Sequence, residues 1–153
     1  MLKNNRGVTL SILVVTIVVI MILASVTVTT SDLLIKDTKS KSIISNMYLV
    51  KGKIEAVYDD YAFNTPTNAG DILKGTPVSS SSVSQYYTSP ATPPTNYWYK
   101  IEASDLPNLG MDRSMLSGTA FYYVNYETGE VIYSNGVKDS TGNVKYKLSD
   151  IKS

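Results

Sequence analysis

Between Arg6 and Asp32 the chain carries no charged residue, and this run limits what the chain can become more than any other feature. Residues 8–28 are apolar except for Thr9, Ser11, Thr16, Ser25 and Thr27. At about 1.5 Å per residue a helix of that length spans roughly 31 Å, close to the hydrocarbon thickness of a bilayer. Sixteen of the 23 residues in 8–30 are Val, Ile or Thr, a composition that favours a strand in water. In lipid a lone strand leaves its backbone groups unpaired, so the run is expected to be helical there. A soluble fold would have to hide it as an interior strand or core helix, and its length and lack of charge argue against both. Lys3 and Arg6 precede it. The expected topology is therefore a single pass with the N-terminus in the cytoplasm and everything from about residue 32 outside.

The rest of the composition removes whole classes of function. Lys and Arg total 14 against 13 Asp and Glu, a net charge of +1, so no general basic field exists to recruit nucleic acid. The sequence has no Cys and no His. That excludes disulfide scaffolds, zinc sites of the usual ligand types, thiol nucleophiles and every triad that needs imidazole. Asp59 and Asp60 are adjacent, so on a helix they point about 100° apart and share no site. Asp139, Asn143 and Asp150 lack the spacing of a calcium loop. Residues 106–110, Leu-Pro-Asn-Leu-Gly, superficially look like a sortase signal, but Leu109 stands where Thr is required and no apolar tail follows. The expectation is a non-enzyme with no catalytic residue, no cofactor and no metal.

Three readings of the leader compete. A cleaved secretory signal peptide fits the charged start, but the apolar stretch is long and Leu23-Ala24-Ser25 makes a poor cleavage site. An uncleaved signal anchor is physically sufficient. The third rests on the junction Lys3-Asn4-Asn5-Arg6-Gly7-Val8-Thr9-Leu10, where a short basic leader ends in Gly and the apolar helix starts at once. This junction resembles the type IV pilin and type II secretion pseudopilin family. The resemblance implies cleavage by prepilin peptidase between Gly7 and Val8, N-methylation of Val8, and retention of the apolar helix on a mature chain of residues 8–153. It also implies a platform protein and an assembly ATPase as partners. The sequence departs from the family at the fifth mature residue, where Ile12 stands in place of the usual Glu. That carboxylate is held in the family to pair with a neighbour's terminal amine, and a charge among apolar helices needs such a partner. Its loss points to a minor or divergent subunit. Along the assembly helix, Thr9, Thr16 and Thr27 fall within about 20° of one another. Such a stripe either marks a helix–helix contact or consists of hydroxyls bonded back to their own helix.

Beyond the run, Asp32 with Lys36 and Asp37 with Lys41 are i,i+4 pairs in the favourable order. An apolar stripe follows at Ile43, Met47, Val50, Ile54, Val57 and Tyr61, all within about 40° of one direction. The spacing predicts a helix continuing to about residue 63, ended by Asn64-Thr65-Pro66, with a break and cap at Ser31-Asp32 as the alternative. In residues 76–96, Ser, Thr and Pro make up 14 of 21 positions, so 64–96 reads as a surface loop with Tyr86-Tyr87 pinning it; it is also a conceivable glycosylation segment. Residues 97–101, 119–126, 131–133 and 144–148 read as strands. In 119–126, Phe121 and Tyr123 face one way and Tyr122, Val124 and Tyr126 the other. In 144–148, Val144, Tyr146 and Leu148 are expected inward and Lys145 and Lys147 outward, as on an edge strand. The run at 122–131 also looks like the sheet of pilin-like proteins from Gram-positive bacteria. The 12 tyrosines suit a thin core and half-buried positions better than a dedicated adhesive patch.

The expected fold is α+β and pilin-like. Its parts are a leader (1–7), a membrane and assembly helix (8–30), an amphipathic continuation (31–63), a loop (64–96) and an antiparallel sheet (97–153) lying on the helix. The expected function is a structural subunit of a type IV pilus or pseudopilus, at the membrane and then at the cell surface, with lipid and other pilin subunits as partners. A membrane-anchored extracellular binding module is the alternative. Motility, adhesion, competence for DNA uptake and secretion are equally compatible with this sequence.

Overall fold

The computed structural model describes the backbone of residues 6–139 and 141–151 and, within its long helix, the side chains of residues 12–22 and 37–64. The chain divides into two units, Met1–Lys39 and Ser40–Ser153. One helix, α1 (Arg6–Asn64), contributes to both. It has no break at Ser31-Asp32, and it ends one residue beyond the expected 63, where Thr65 turns to φ 39°. The Asn64 side-chain amide donates to the Asp60 carbonyl at 3.1 Å and to Asp60 Oδ1 at 2.6 Å, which helps satisfy the open end.

In the first unit, the described residues 12–22 are all exposed. Among the described residues no helix is long and apolar enough to cross a membrane. The backbone of the expected membrane helix, 8–30, lies within α1, and of its side chains those of 12–22 are described. Of the leader, 1–7, residues 1–5 lie outside the described residues.

The second unit is α+β. Five antiparallel strands, β1 (Thr76–Pro77), β2 (Trp98–Ile101), β3 (Tyr122–Asn125), β4 (Val131–Lys138) and β5 (Val144–Lys147), form a sheet in sequence order. The pairings run Tyr99 to Val124, Tyr123 to Ile132 and Lys138 to Val144. One face is the main core: Met47, Val50 and Ile54 of α1 pack with Ile101, Tyr122, Val124, Tyr126 and Val131, all 0–1 % exposed. Burying such side chains contributes about 1.5–3 kcal/mol each against leaving them in water. Three buried side chains one or two turns apart thus fix the sheet on the helix.

The opposite face is not left to solvent, contrary to the reading of 64–96 as a solvated loop. That segment supplies β1, and it buries Leu73 in the main core and Val83 in a second one with Trp98 and Ile132. Trp98 Nε1 donates to the Pro94 carbonyl at 2.8 Å. Tyr86 and Tyr87 pack on this second cluster. A composition rich in Ser, Thr and Pro cannot make a core of its own, but it can lay a few apolar residues on a sheet that already exists. Short 3-10 turns at Ala69–Asp71, Ser80–Ser82 and Ser84–Tyr86 satisfy its backbone.

The edge strand also differs. Val144 and Tyr146 are 47 % and 38 % exposed, whereas the Lys147 side chain is only 12 % exposed. Lys147 lays its stem against the sheet, with Nζ 4.3 Å from the Tyr87 ring centre and 3.3 Å from Asp150. The cause is a shift in the β4–β5 register between Ile132 and Val137. There Gly136 adopts φ +68°, and a Cβ would strike Val144 and Tyr146. A bulge of this kind reverses which side chains face the core.

Candidate functional site

The residues expected to do the work lie on α1, and they fall into two sets. In the first unit, Ile12, Leu13, Val14, Val15, Ile17, Val18, Val19, Ile20, Met21 and Ile22 are 46–67 % exposed. Ten apolar side chains in an eleven-residue stretch point in every direction around the helix, so no single face can be covered while another stays wet. The eleventh residue, Thr16, donates its hydroxyl to the Leu13 carbonyl at 2.8 Å. It is bonded to its own helix, the second of the two readings of the threonine stripe. Gly7, Val8, Thr9, Leu10 and Thr27 lie on the backbone of α1, and their side-chain surroundings are outside what the structure describes.

In the second unit, Met47, Val50 and Ile54 are fully buried, and Ile43, Val57 and Tyr61 pack half-buried against the same core. Two polar devices hold the sheet beside them. Asn125, 0 % exposed, donates Nδ2 to the Asn96 carbonyl at 2.7 Å and accepts from the Thr128 amide and hydroxyl at 2.9 and 3.0 Å. It thereby ties β2 to the β3–β4 turn. The Tyr126 hydroxyl accepts from the Lys74 amide at 3.0 Å and donates to the Lys74 carbonyl at 2.9 Å, clasping the loop to the sheet. Burial pushes the Tyr126 phenol up to about 12, partly offset by its bond to Lys74. Tyr122 is pushed higher by burial and by Tyr133, and its hydroxyl has no hydrogen-bond partner among the described residues.

The tyrosines form two surfaces that sequence reasoning did not anticipate. At the end of α1, the Tyr58 and Tyr61 rings stack at 6.0 Å, and Tyr97 meets them edge-on at 5.5 and 6.0 Å. Tyr97 reaches them from a left-handed backbone, φ 62°, held by the bond from the Tyr126 amide to its carbonyl at 3.1 Å. Burial and then the Glu127 carboxylate push the Tyr58 phenol up; for Tyr97 the first cause is the Tyr61 phenol, with Glu127 a smaller one. The i,i+3 spacing of Tyr58 and Tyr61 was a readable signal for half of this cluster. Nothing in the local sequence announces Tyr97. On the sheet's other face, Phe121, Tyr123, Tyr86 and Tyr146 form a chain of rings 5.0–6.2 Å apart, with Lys100 Nζ 4.4 Å from the Phe121 ring centre.

The polar clusters serve local structure. Asp139 Oδ1 accepts from the Thr141 amide and hydroxyl and from the Asn143 amide at 2.6–3.0 Å, which holds its carboxyl below the usual range. Asp112 caps a turn in the same way through the Ser114 amide at 2.7 Å. Among the described residues no three Asp, Glu, His or Cys side chains stand close enough to share a metal. A groove of about 470 Å³ lies between Tyr48 and Lys51 of α1, Tyr87, and Glu130 and Ser149. Glu130 is already engaged, accepting from the Ser149 hydroxyl at 2.6 Å and amide at 3.2 Å. Comparison with known proteins finds no matching family model, no matching curated protein and no matching solved structure.

Proposed function

We propose that this chain is a pilin-like structural subunit, minor or divergent, of a type IV pilus or pseudopilus. It is inserted with its N-terminus in the cytoplasm, trimmed after Gly7 by prepilin peptidase, and drawn by its apolar helix from lipid into a filament. The observation that carries this reading is the uncovered apolar helix at residues 12–22. Among the described residues these side chains stand exposed all round the helix, and lipid or neighbouring helices would supply their cover. Assembly exchanges one apolar surrounding for another, and the free energy of leaving the bilayer is offset by packing among subunit helices. Ile12, the fifth residue of a chain that begins at Val8, is uncharged, so a terminal amine on Val8 has no carboxylate there to meet.

A membrane-anchored extracellular binding module shares the same helix, and its tyrosine-rich surfaces favour a binding role. Intact mass of the protein recovered from its native host separates the two. A chain beginning at N-methylated Val8, recovered in the sheared surface fraction, is the expected result. A chain retaining residues 1–7 and remaining with the membrane gives the binding module. A start near Thr27 means ordinary secretion and overturns both.

A further inference from the structure

The second unit carries an acidic aromatic patch and a basic apolar patch at opposite ends of one strand. The acidic patch gathers around the end of α1 and the β3–β4 turn. Tyr58, Tyr61 and Tyr97 form its aromatic floor. Glu127, in the turn, is exposed and makes no salt bridge among the described residues. Asp59 and Asp60 are exposed on the same helical turns, and the last turn of α1 has no basic residue. Acids at a helix C-terminus meet the negative end of the helix dipole, an arrangement that a cation from elsewhere would relieve. Rings lying beside carboxylates suit an ammonium group twice over, through charge and through the π face.

The basic patch lies at the far end of β4. Lys138 is exposed, and its partner on β5, Val144, is one of the few large apolar side chains left open in this unit. Lys145 follows, and Tyr146 presents a partly open ring against Tyr86. The acid in this corner, Asp139, spends its Oδ1 on the adjoining turn and also faces Lys145 electrostatically, which leaves Lys138 as the cation of the patch without an acid set against it among the described residues. From Val131, beside the Glu127 turn, to Lys138 the strand advances roughly 23 Å at about 3.3 Å per residue. The two patches therefore cannot neutralise each other within one chain.

We infer that the acidic patch at Glu127 and Tyr58 on one copy receives the Lys138 and Val144 end of β4–β5 from a second copy of this chain. Unlike patches at opposite ends make a heterologous contact, which repeats from copy to copy instead of closing on itself as a two-fold dimer. Opposite charge sets the register, while Val144 and the tyrosine rings supply the apolar part. This contact rests on the filament reading for its setting, but it is carried by different residues from the apolar helix and can fail separately.

The chain has no Cys, so engineered thiols have no background. Glu127 and Lys138 are both exposed, and they are too far apart for a disulfide within one copy. In the full-length protein in its host, the double variant Glu127→Cys with Lys138→Cys should give, under mild oxidation, a ladder of dimers, trimers and higher species. Each single-Cys variant should stay monomeric, because a head-to-tail contact never sets 127 against 127 or 138 against 138. Emission from Trp98, the sole tryptophan, reports that each variant is folded. Separately, Glu127→Lys and Lys138→Glu should each cut association by about fivefold, and combining them in one chain should restore it. A double-Cys product that stops at dimers, or no product, overturns the head-to-tail contact in whichever fraction the protein is found. A ladder with all the protein left in the membrane keeps the contact and removes the filament reading. Filaments in the sheared fraction without a ladder do the reverse.

Discussion

Two stretches of α1 are built from the same apolar residue types and meet opposite fates. Between residues 12 and 22 every large side chain is 46–67 % exposed, while Met47, Val50 and Ile54 are fully buried. Hydrophobicity alone does not separate them; pattern does. Around Val50 most apolar residues recur on one face, with Lys51, Lys53, Glu55 and Asp59 elsewhere, so one sheet covers the stripe and leaves only Tyr48 and Leu49 half exposed beside it. From Ile12 to Ile22 there is no polar face to turn outward, and a cover on one side only would leave the rest exposed. A helix apolar all round asks for an environment and not for a partner face.

Substitutions can pull the two stretches apart. Truncation of a buried stripe residue has the largest expected effect. Ile54→Ala should cost about 2–5 kcal/mol in the second unit, read as a lower denaturant midpoint by Trp98 fluorescence of the full chain in mild detergent, with no change in membrane retention. A cost under about 0.5 kcal/mol would break the comparison. Next comes the converse substitution. Val18→Lys should leave that midpoint unchanged but weaken membrane insertion by about 2.5–3.5 kcal/mol, measured as the fraction released from membranes at high pH. Retention at the wild-type level would mean that residues 12–22 are covered by something other than lipid.

Smaller effects sharpen the picture inside the sheet unit. Tyr126→Phe removes both bonds to Lys74 and should cost about 1–2 kcal/mol. Tyr122→Phe, which deletes a buried hydroxyl without a partner among the described residues, should cost nothing or stabilise slightly. Equal losses for the two would mean that the Lys74 clasp is not what Tyr126 contributes. The pH dependence is smaller still under ordinary conditions. Burial raises Tyr87, next to Glu130 and Asp150, and Tyr126 to about 12 from an ordinary 10.0, and raises Tyr122 as well. The folded state holds these phenolic protons more tightly than the unfolded one. Their contribution is therefore constant below about pH 10 and declines as pH rises from there through about 12. Ultraviolet titration should show the exposed tyrosines ionising first and these three only as the fold opens; ionisation of all 12 tyrosines in one step near pH 10 would contradict it.

How much of this was legible beforehand follows the same division between pattern and context. The α1 stripe was readable because a 3.6-residue period survives any tertiary arrangement. Strand β3 was readable too: Tyr122, Val124 and Tyr126 are buried while Phe121 and Tyr123 are half-buried on the other face, as alternation requires. At β5 the expected faces are exchanged for Val144, Tyr146 and Lys147, while Leu148 just beyond it is buried as expected. The Lys–apolar alternation was visible, but the register shift beside Gly136 decides which half of it points inward, and a bulge leaves no periodic trace. Leu73 and Val83 were missed because an isolated apolar residue in a polar segment looks the same whether or not a sheet waits for it. The tyrosine cluster depends on Tyr97 holding a left-handed conformation, which only the surrounding hydrogen bonds impose.

The clasp between Tyr126 and Lys74 has a practical corollary. With Leu73 and Val83 anchoring the excursion near its beginning and middle, and Trp98 meeting Pro94 near its end, the exposed stretch at 88–92 lies between fixed points. Lettering there is free to drift, or to be replaced by an inserted epitope, without disturbing the scaffold that displays it.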